Sequence, residues 1–410
     1  MGKSNYCRKE EDLETLWKES SSTGINFSKY EKIAVNVEGE NQTKPIQTFD
    51  EAGFAPLLMR NIKRAKYETP TPVQKHGISI LMAGRDLMAC AQTGSGKTAA
   101  FLFPVINNLM ARKSESKDGM AVTPQMLVMA PTRELIIQIY DEARKFCGGT
   151  GLTCGVAYGG TSDKKQLFAL SRGCNILAAT PGRLLDFLKR GEISFKNVQF
   201  LVLDEADKML DMGFLPNIRE CVKHHTMSTR NRQTAMFSAP FPSQIQKIAS
   251  EFLDNYLFLQ VGIVGGACTD VRQTFQDVTR MNKMDKNEML IAMLQKQMQQ
   301  HRKDKTLVFV EQKKHADVLA MVLCQDNIPA TTIHGDRAQE EREMALNDFK
   351  SGSKPILVAT AVAARGLDGR QGHHSRGQLS DAQGSGRVCS QVGSDYHIFT
   401  RANQLQNFFL

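Results

Sequence analysis

The sequence has no apolar run long enough to cross a membrane; its longest are strand-sized, well short of the roughly 18 residues a spanning helix needs. Its first residues, Met1-Gly2-Lys3-Ser4-Asn5-Tyr6-Cys7, hold no apolar stretch of the kind a secretory signal requires. Tyr6 also stands where a myristoylation signal places Ser or Thr. Nine cysteines are scattered from Cys7 to Cys389 without a Cys-x-x-Cys pair. They match neither a disulfide framework nor a zinc site, which points to a reducing compartment. There is no Arg-Gly-Gly tract and no basic tail, so any nucleic-acid site has to be built into the fold. A net charge of +9 permits a polyanionic partner without demanding one.

What is present is ordinary in composition: 410 residues, 41% hydrophobic and 23% charged, enough for two globular domains. Residues 1–45 are polar and weakly patterned and read as an extended lead-in. Over 46–261, short apolar runs (Leu87–Cys90, Leu127–Ala130, Ile176–Ala179, Phe200–Leu203, Ala235–Phe237) alternate with amphipathic stretches such as Glu134–Cys147. Buried strands alternating with helices predict an α/β fold with a parallel sheet covered on both faces, and ligands at the carboxyl ends of the strands. Residues 262–276 open with glycines and read as a linker. A second alternation fills 277–368, with strands at Thr306–Val310, Ala330–Ile333 and Ile356–Ala359. From Gly369 to Leu410 the chain is rich in Gly, Gln, Ser and His, which predicts a tail without order.

The chemistry begins at Ala91-Gln92-Thr93-Gly94-Ser95-Gly96-Lys97-Thr98, directly after one predicted strand and at the start of a helix. In that context glycines let backbone N–H groups approach a phosphate, while the helix N-terminus supplies positive potential. Lys97 would reach the β/γ-phosphates and Thr98 would hold Mg²⁺. The bland alternative is a Gly-rich strand-to-helix turn. Asp204-Glu205-Ala206-Asp207 ends the strand Phe200–Leu203, where an acidic partner to that loop belongs. Asp204 can hold Mg²⁺ through water while Glu205 orients or deprotonates the attacking water. An acidic helix start is the bland alternative here.

An AQTGSGKT loop followed by Asp-Glu-Ala-Asp resembles the DEAD-box ATP-dependent RNA helicases. The rest of that family's motifs stand in order over about residues 25–368. Tyr67-Glu68-Thr69-Pro70-Thr71-Pro72-Val73-Gln74 is similar to the Q motif, with Phe49 as its upstream aromatic. Pro131-Thr132-Arg133-Glu134-Leu135, Gly159-Gly160 and Thr180-Pro181-Gly182-Arg183-Leu184 match motifs Ia, GG and Ib. His334-Gly335-Asp336-Arg337, then Ala359-Thr360 through Arg365-Gly366-Leu367-Asp368, match the second domain.

The resemblance implies two RecA-like parallel-sheet domains that bind ATP, Mg²⁺ and RNA, the second of them incomplete. Phe49, Tyr67, Gln74, the loop residues 92–98, Gly366 and Asp368 would bind the nucleotide. Lys97, Asp204 and Glu205 would carry the hydrolysis, and Asp207, Ser238 and Ala239 would couple it to RNA. Pro131, Thr132, Arg133, Gly160, Thr180, Gly182, Arg183, Arg337 and Thr360 would hold RNA, single-stranded or in a short duplex. Contacts to phosphate and sugar would make that binding independent of sequence. Ile25-Asn26-Phe27, the run Asp141–Phe146 and the linker Val261–Cys268 look most like the Vasa-like subgroup, ahead of the Belle-like one. Such membership implies a cytoplasmic or perinuclear germ-granule setting, with the nucleus as an alternative, germ-granule proteins as partners, and no membrane.

Three departures bear on activity. Motif III reads Ser238-Ala239-Pro240 instead of Ser-Ala-Thr, which removes a hydroxyl and an N–H. Ala361 replaces the usual Asp or Ser of motif V. After Asp368 the arginine-rich motif VI does not follow, which predicts a sheet short of its last strands with an exposed edge. The expectation for that tail is an alternative splice form or a shifted reading frame. The expected function is ATP-dependent RNA unwinding; the competing expectation is an ATP- and RNA-binding isoform with impaired turnover.

Overall fold

The computed structural model describes residues 12–20, 33–92, 94–112, 121–228, 231–262, 272–276, 280–300, 305–360, 397–400 and 405–409. The expectations for Thr93, Ala361, Gly366 and Asp368 lie outside them. The chain divides into two compact units, Met1–Gly266 and Ala267–Leu410.

The first unit is built on an eight-stranded sheet in the order β1-β8-β2-β7-β6-β3-β5-β4. These strands are β1 (Val35–Glu38), β2 (Leu87–Ala91), β3 (Met126–Met129), β4 (Cys154–Ala157), β5 (Ile176–Ala179), β6 (Phe200–Leu203), β7 (Gln233–Ser238) and β8 (Leu257–Val261). All neighbouring pairs are parallel except β1 with β8. Successive residues of a strand point to opposite faces, and here both faces are covered. In β2, Leu87, Ala89 and Ala91 join one apolar cluster while Met88 and Cys90 join the other. That two-sided burial explains why β2, β3, β5 and β6 read as unbroken apolar runs.

Helices cover those faces for local reasons. Arg133–Phe146 starts where the Thr132 hydroxyl accepts the Leu135 N–H at 3.3 Å, and it buries Leu135, Ile136, Ile139, Ala143 and Phe146. Pro72 and Pro181 sit in the first turns of Pro72–Met82 and Pro181–Lys189, where a missing N–H has no cost.

The lead-in is not uniformly extended. It contains the helix Leu13–Ser20, whose Leu16 and Trp17 are buried. The Arg64 guanidinium lies 4.7 Å from the Trp17 ring centre and pairs with Glu14 at 2.8 Å. Burial of two large apolar side chains is what turns a weakly patterned stretch into a docked helix.

The second unit has a six-stranded sheet ordered β11-β12-β10-β13-β14-β9. It comprises β9 (Arg272–Gln276), β10 (Thr306–Val310), β11 (Ala330–Ile333), β12 (Ile356–Thr360), β13 (His397–Thr400) and β14 (Leu405–Phe409). Strands β10, β11 and β12 are parallel, and Leu290, Leu294, Leu319 and Leu323 from flanking helices pack with Val308 and Val358 of the sheet. One expectation changes in its bounds. Arg272–Gln276, read as linker, is a strand. The tail supplies β13, antiparallel to β10, and β14, parallel to β9, so the edge of β10 is paired. An unpaired row of backbone groups on β10 is a template for whatever chain can reach it, even one without apolar periodicity.

Candidate nucleotide and RNA site

The sheet order sorts the motifs. Cys90 of β2 pairs with Ser238 of β7, and Leu203 of β6 with Met236 of β7. The phosphate loop, Ser238 and Asp204 therefore leave the carboxyl ends of three adjacent strands. Met129 pairs with both Leu203 and Ala179, and Ala157 pairs with Ala179. The segments starting at Pro131, Thr180 and Tyr158 therefore leave the next three ends. One half of the edge carries the residues expected at the nucleotide, and the other half those expected at RNA.

In the phosphate loop Gly94 and Gly96 adopt left-handed φ of +83° and +93°. Lys97 is buried and donates to the Ala91 carbonyl at 3.0 Å, while Thr98 is half-buried. Gln92 O accepts the Ser95 N–H at 3.3 Å, and the buried Ser95 Oγ has no hydrogen-bond partner among the described residues. An unsatisfied buried hydroxyl inside such a loop is a place for a phosphate oxygen.

Gln74 is buried, and its side-chain amide spans two elements: Oε1 accepts the Thr71 N–H at 2.9 Å and Nε2 donates to Gly96 O at 3.2 Å. The Thr71 hydroxyl donates to Ser95 O at 2.7 Å. The Q-motif segment thus ties itself to the phosphate loop, a role the sequence did not suggest. Phe49 is buried edge-on against Tyr67 and Phe103, at centroid distances of 6.1 and 5.9 Å. The structure places it in an aromatic cluster of the core. Sequence reasoning also missed a cavity of about 190 Å³ beside the Q motif, lined by Gln47, Thr69, Thr71, Lys75 and His76 among others.

Asp204 and Glu205 are both buried. The Asp204 carboxyl is pushed up to about 6 on balance: burial raises it most, Lys97 pulls it down, and the Glu205 charge raises it. Asp204 Oδ1 accepts the Glu205 N–H at 2.9 Å, and Glu205 Oε1 accepts Lys208 Nζ at 2.8 Å. Glu205 itself has φ +53°, a left-handed conformation that is strained for a residue with a side chain and recurs at functional sites. The Ser238 hydroxyl lies 2.9 Å from Asp207 Oδ1 and 2.8 Å from Pro240 O, and its single proton serves one of them at a time. Ala239 and Pro240 are half-buried.

The donors fit magnesium. Thr98 and Asp204 are hard oxygen ligands, and among the described residues no group of three or more His, Cys, Asp or Glu forms a cage of its own. Mg²⁺ on nucleotides takes one or two protein oxygens and completes its shell with water and phosphate.

On the RNA half, Pro131 and Thr132 are buried and Arg133 is half-buried. At Gly160 φ is +82°, which favours glycine, and a Cβ there would also force the Arg133 guanidinium that crosses it to shift. Arg183 donates to Thr161 O at 3.2 Å and stacks 5.3 Å from the Phe187 ring centre; burial lowers its affinity for a proton, though a guanidinium stays charged. Thr180 is buried, with its N–H on Ala157 O at 2.9 Å, and Gly182 faces open space. In the second unit Arg337 is half-buried and Thr360 ends β12.

Comparison with known proteins agrees with this arrangement. Residues 71–248 match the DEAD/DEAH box helicase family and 285–374 the helicase conserved C-terminal domain. The chain is 49% identical over 357 residues to the ATP-dependent RNA helicase vasa of Drosophila melanogaster, covering 87% of this chain and 52% of that protein. It is 51% identical over 355 residues to the probable ATP-dependent RNA helicase DDX4 of Homo sapiens, covering 84% and 47%. The chain thus spans about half the length of these curated relatives. Among solved structures, RNA-helicase Prp28 from Chaetomium thermophilum bound to ADP is 31% identical, with a TM-score of 0.51 and coverage of 89% and 82%. S. cerevisiae Dbp5 bound to RNA and ADP BeF3 is 26% identical, with a TM-score of 0.66 and coverage of 79% and 78%. The chain belongs to the DEAD-box helicase family, among its Vasa-like members.

Proposed function

We propose that this chain binds ATP with Mg²⁺ and RNA, single-stranded or in a short duplex, and couples hydrolysis to local strand separation. The observation that carries this reading is the sorting of motifs along one sheet edge, with the Lys97 loop, Ser238 and Asp204 at the carboxyl ends of three adjacent strands and the Thr132, Thr180 and Gly160 segments after the next three. Lys97 and the loop N–H groups hold the phosphates, and Thr98 with Asp204 would hold Mg²⁺, which when bound neutralises charge on the reacting phosphate. Glu205 orients the attacking water and takes its proton. Arg133, Arg183, Arg337 and the hydroxyls of Thr132, Thr180 and Thr360 hold the RNA backbone, which carries no base identity. Relatives named vasa and DDX4 support a germline, cytoplasmic setting, with germ-granule proteins as partners.

A second reading, ATP and RNA binding with little turnover, is favoured by Pro240. Proline offers neither the hydroxyl nor the N–H of the threonine that the family places beside Ser238 and Ala239. The missing motif VI arginines point the same way, since comparable arginine fingers are worth roughly 10³–10⁵ in rate. Hydrolysis of ATP by the purified chain, measured with and without RNA, separates the two. RNA-stimulated turnover supports the first; nucleotide binding without turnover rules it out in favour of the second.

A further inference from the structure

Several side chains of the second unit converge on one carboxylate. Asp317, on the helix Lys313–Gln325, accepts Arg337 Nη2 at 2.7 Å and lies 3.0 Å from His334 Nε2. The Thr332 hydroxyl reaches the same oxygen at 3.5 Å, and Arg337 Nη1 is 3.5 Å from Glu341. His334 is buried, whereas the Asp317 and Arg337 side chains stay 42% and 33% exposed. The cluster stands at the carboxyl end of β11, whose Ile333 pairs with Ala359, one residue before Thr360. Burial pushes the Asp317 carboxyl up, but the hydrogen bonds from His334 and Arg337 outweigh it and hold the group below its ordinary value. A partly exposed anion therefore sits on the edge to which a phosphate backbone is expected.

We propose that Asp317 is a positioning residue for RNA, fixing the Arg337 guanidinium so that it meets a backbone phosphate already oriented. The inference rests on Arg337 being an RNA contact. A guanidinium hydrogen-bonded to Asp317, with Glu341 as a looser ion-pair partner, has less rotamer freedom to lose when the phosphate arrives, which removes part of the ordering cost of binding. The sign of the effect separates this role from bare charge. As a simple anion, Asp317 repels phosphate, so its neutralisation would tighten binding. As a positioning residue, its neutralisation weakens binding despite the gain in positive charge.

The test uses the full chain with ADP–beryllium fluoride, a labelled single-stranded oligouridylate, and melting temperatures for every variant. R337Q is expected to weaken RNA binding about tenfold and D317N about three- to tenfold. The double variant should be no weaker than R337Q, because Asp317 acts only through that side chain. D317E, which keeps the charge but moves it, should retain more affinity than D317N. Tighter binding by D317N overturns the proposal, as does a double variant in which the two losses multiply in full. Should D317N fail to fold, D317E with unaltered affinity overturns it as well. An R337Q variant that binds as well as the parent overturns the reading of Arg337 itself, and the inference falls with it.

Discussion

Asp204 is the residue whose environment makes the most definite demand. Its carboxyl holds a proton up to about pH 6, above the ordinary value near 4, so between those values the folded protein binds a proton that the unfolded chain has released. Stability therefore falls as pH rises from about 4 to about 6 and is flat, on this account, above that. Asp204→Asn removes the dependence and should raise stability at pH 7 by up to about 3 kcal/mol while abolishing Mg²⁺-dependent activity. Denaturation by urea at pH 5 and pH 7 measures the first effect. In the parent chain Mg²⁺ affinity should drop as pH falls below about 6, because the metal needs the ionised carboxylate. At Gly96, φ of +93° and the nearby Gln74 amide leave no room for a Cβ. Gly96→Ala should weaken nucleotide binding at least tenfold, as read by titration with a fluorescent ATP analogue. The loop and the Asp204 pair were legible because spacing alone puts glycines, lysine and carboxylates at strand ends. The bonds from Gln74 to Thr71 and Gly96 were not, since they tie the Q motif to a loop more than 20 residues away through a side chain that sequence reads only as polar.

Among the elements, legibility followed burial. Ile176–Ala179, Phe200–Leu203 and Thr306–Val310 are short, mostly apolar runs and Ala330–Ile333 is a β-branched one, and their bounds are those the sequence predicts. Cys154–Ala157 was invisible because Gly155 interrupts it on the sheet edge, where a Cβ would meet Leu170 and Cys174. Val35–Glu38, half-buried and alternating, is too short to stand out from a polar lead-in. The helix Leu13–Ser20 was missed for a related reason: its stability comes from docking and not from pattern. Trp17 is the only tryptophan in the chain, so its fluorescence reports that docking. Trp17→Ala should cost about 3 kcal/mol in unfolding of the first unit, and Arg64→Ala should shift the emission of Trp17 to the red.

For the whole molecule, the proposed coupling of nucleotide to RNA makes Pro240 the position to test. Pro240→Thr restores a hydroxyl and an N–H beside Ser238, and should raise unwinding of a short duplex several-fold while leaving ATP affinity within about twofold. Unchanged unwinding would place the limitation elsewhere, the departure from the family pattern after Asp368 being the next candidate. Two strands from that departing segment complete the second sheet, a contribution that no apolar periodicity announced. In the first unit, the sheet edge that sorts the motifs also links them. Asp204 N–H donates to Met129 O at 2.9 Å, Ala130 N–H to Ala179 O at 3.4 Å, and Thr180 N–H to Ala157 O at 2.9 Å. These amides form a line running across the strands from the acidic motif to the glycine pair. In hydrogen-exchange terms they should open as one cooperative unit, so the addition of RNA alone ought to slow deuterium uptake at Asp204.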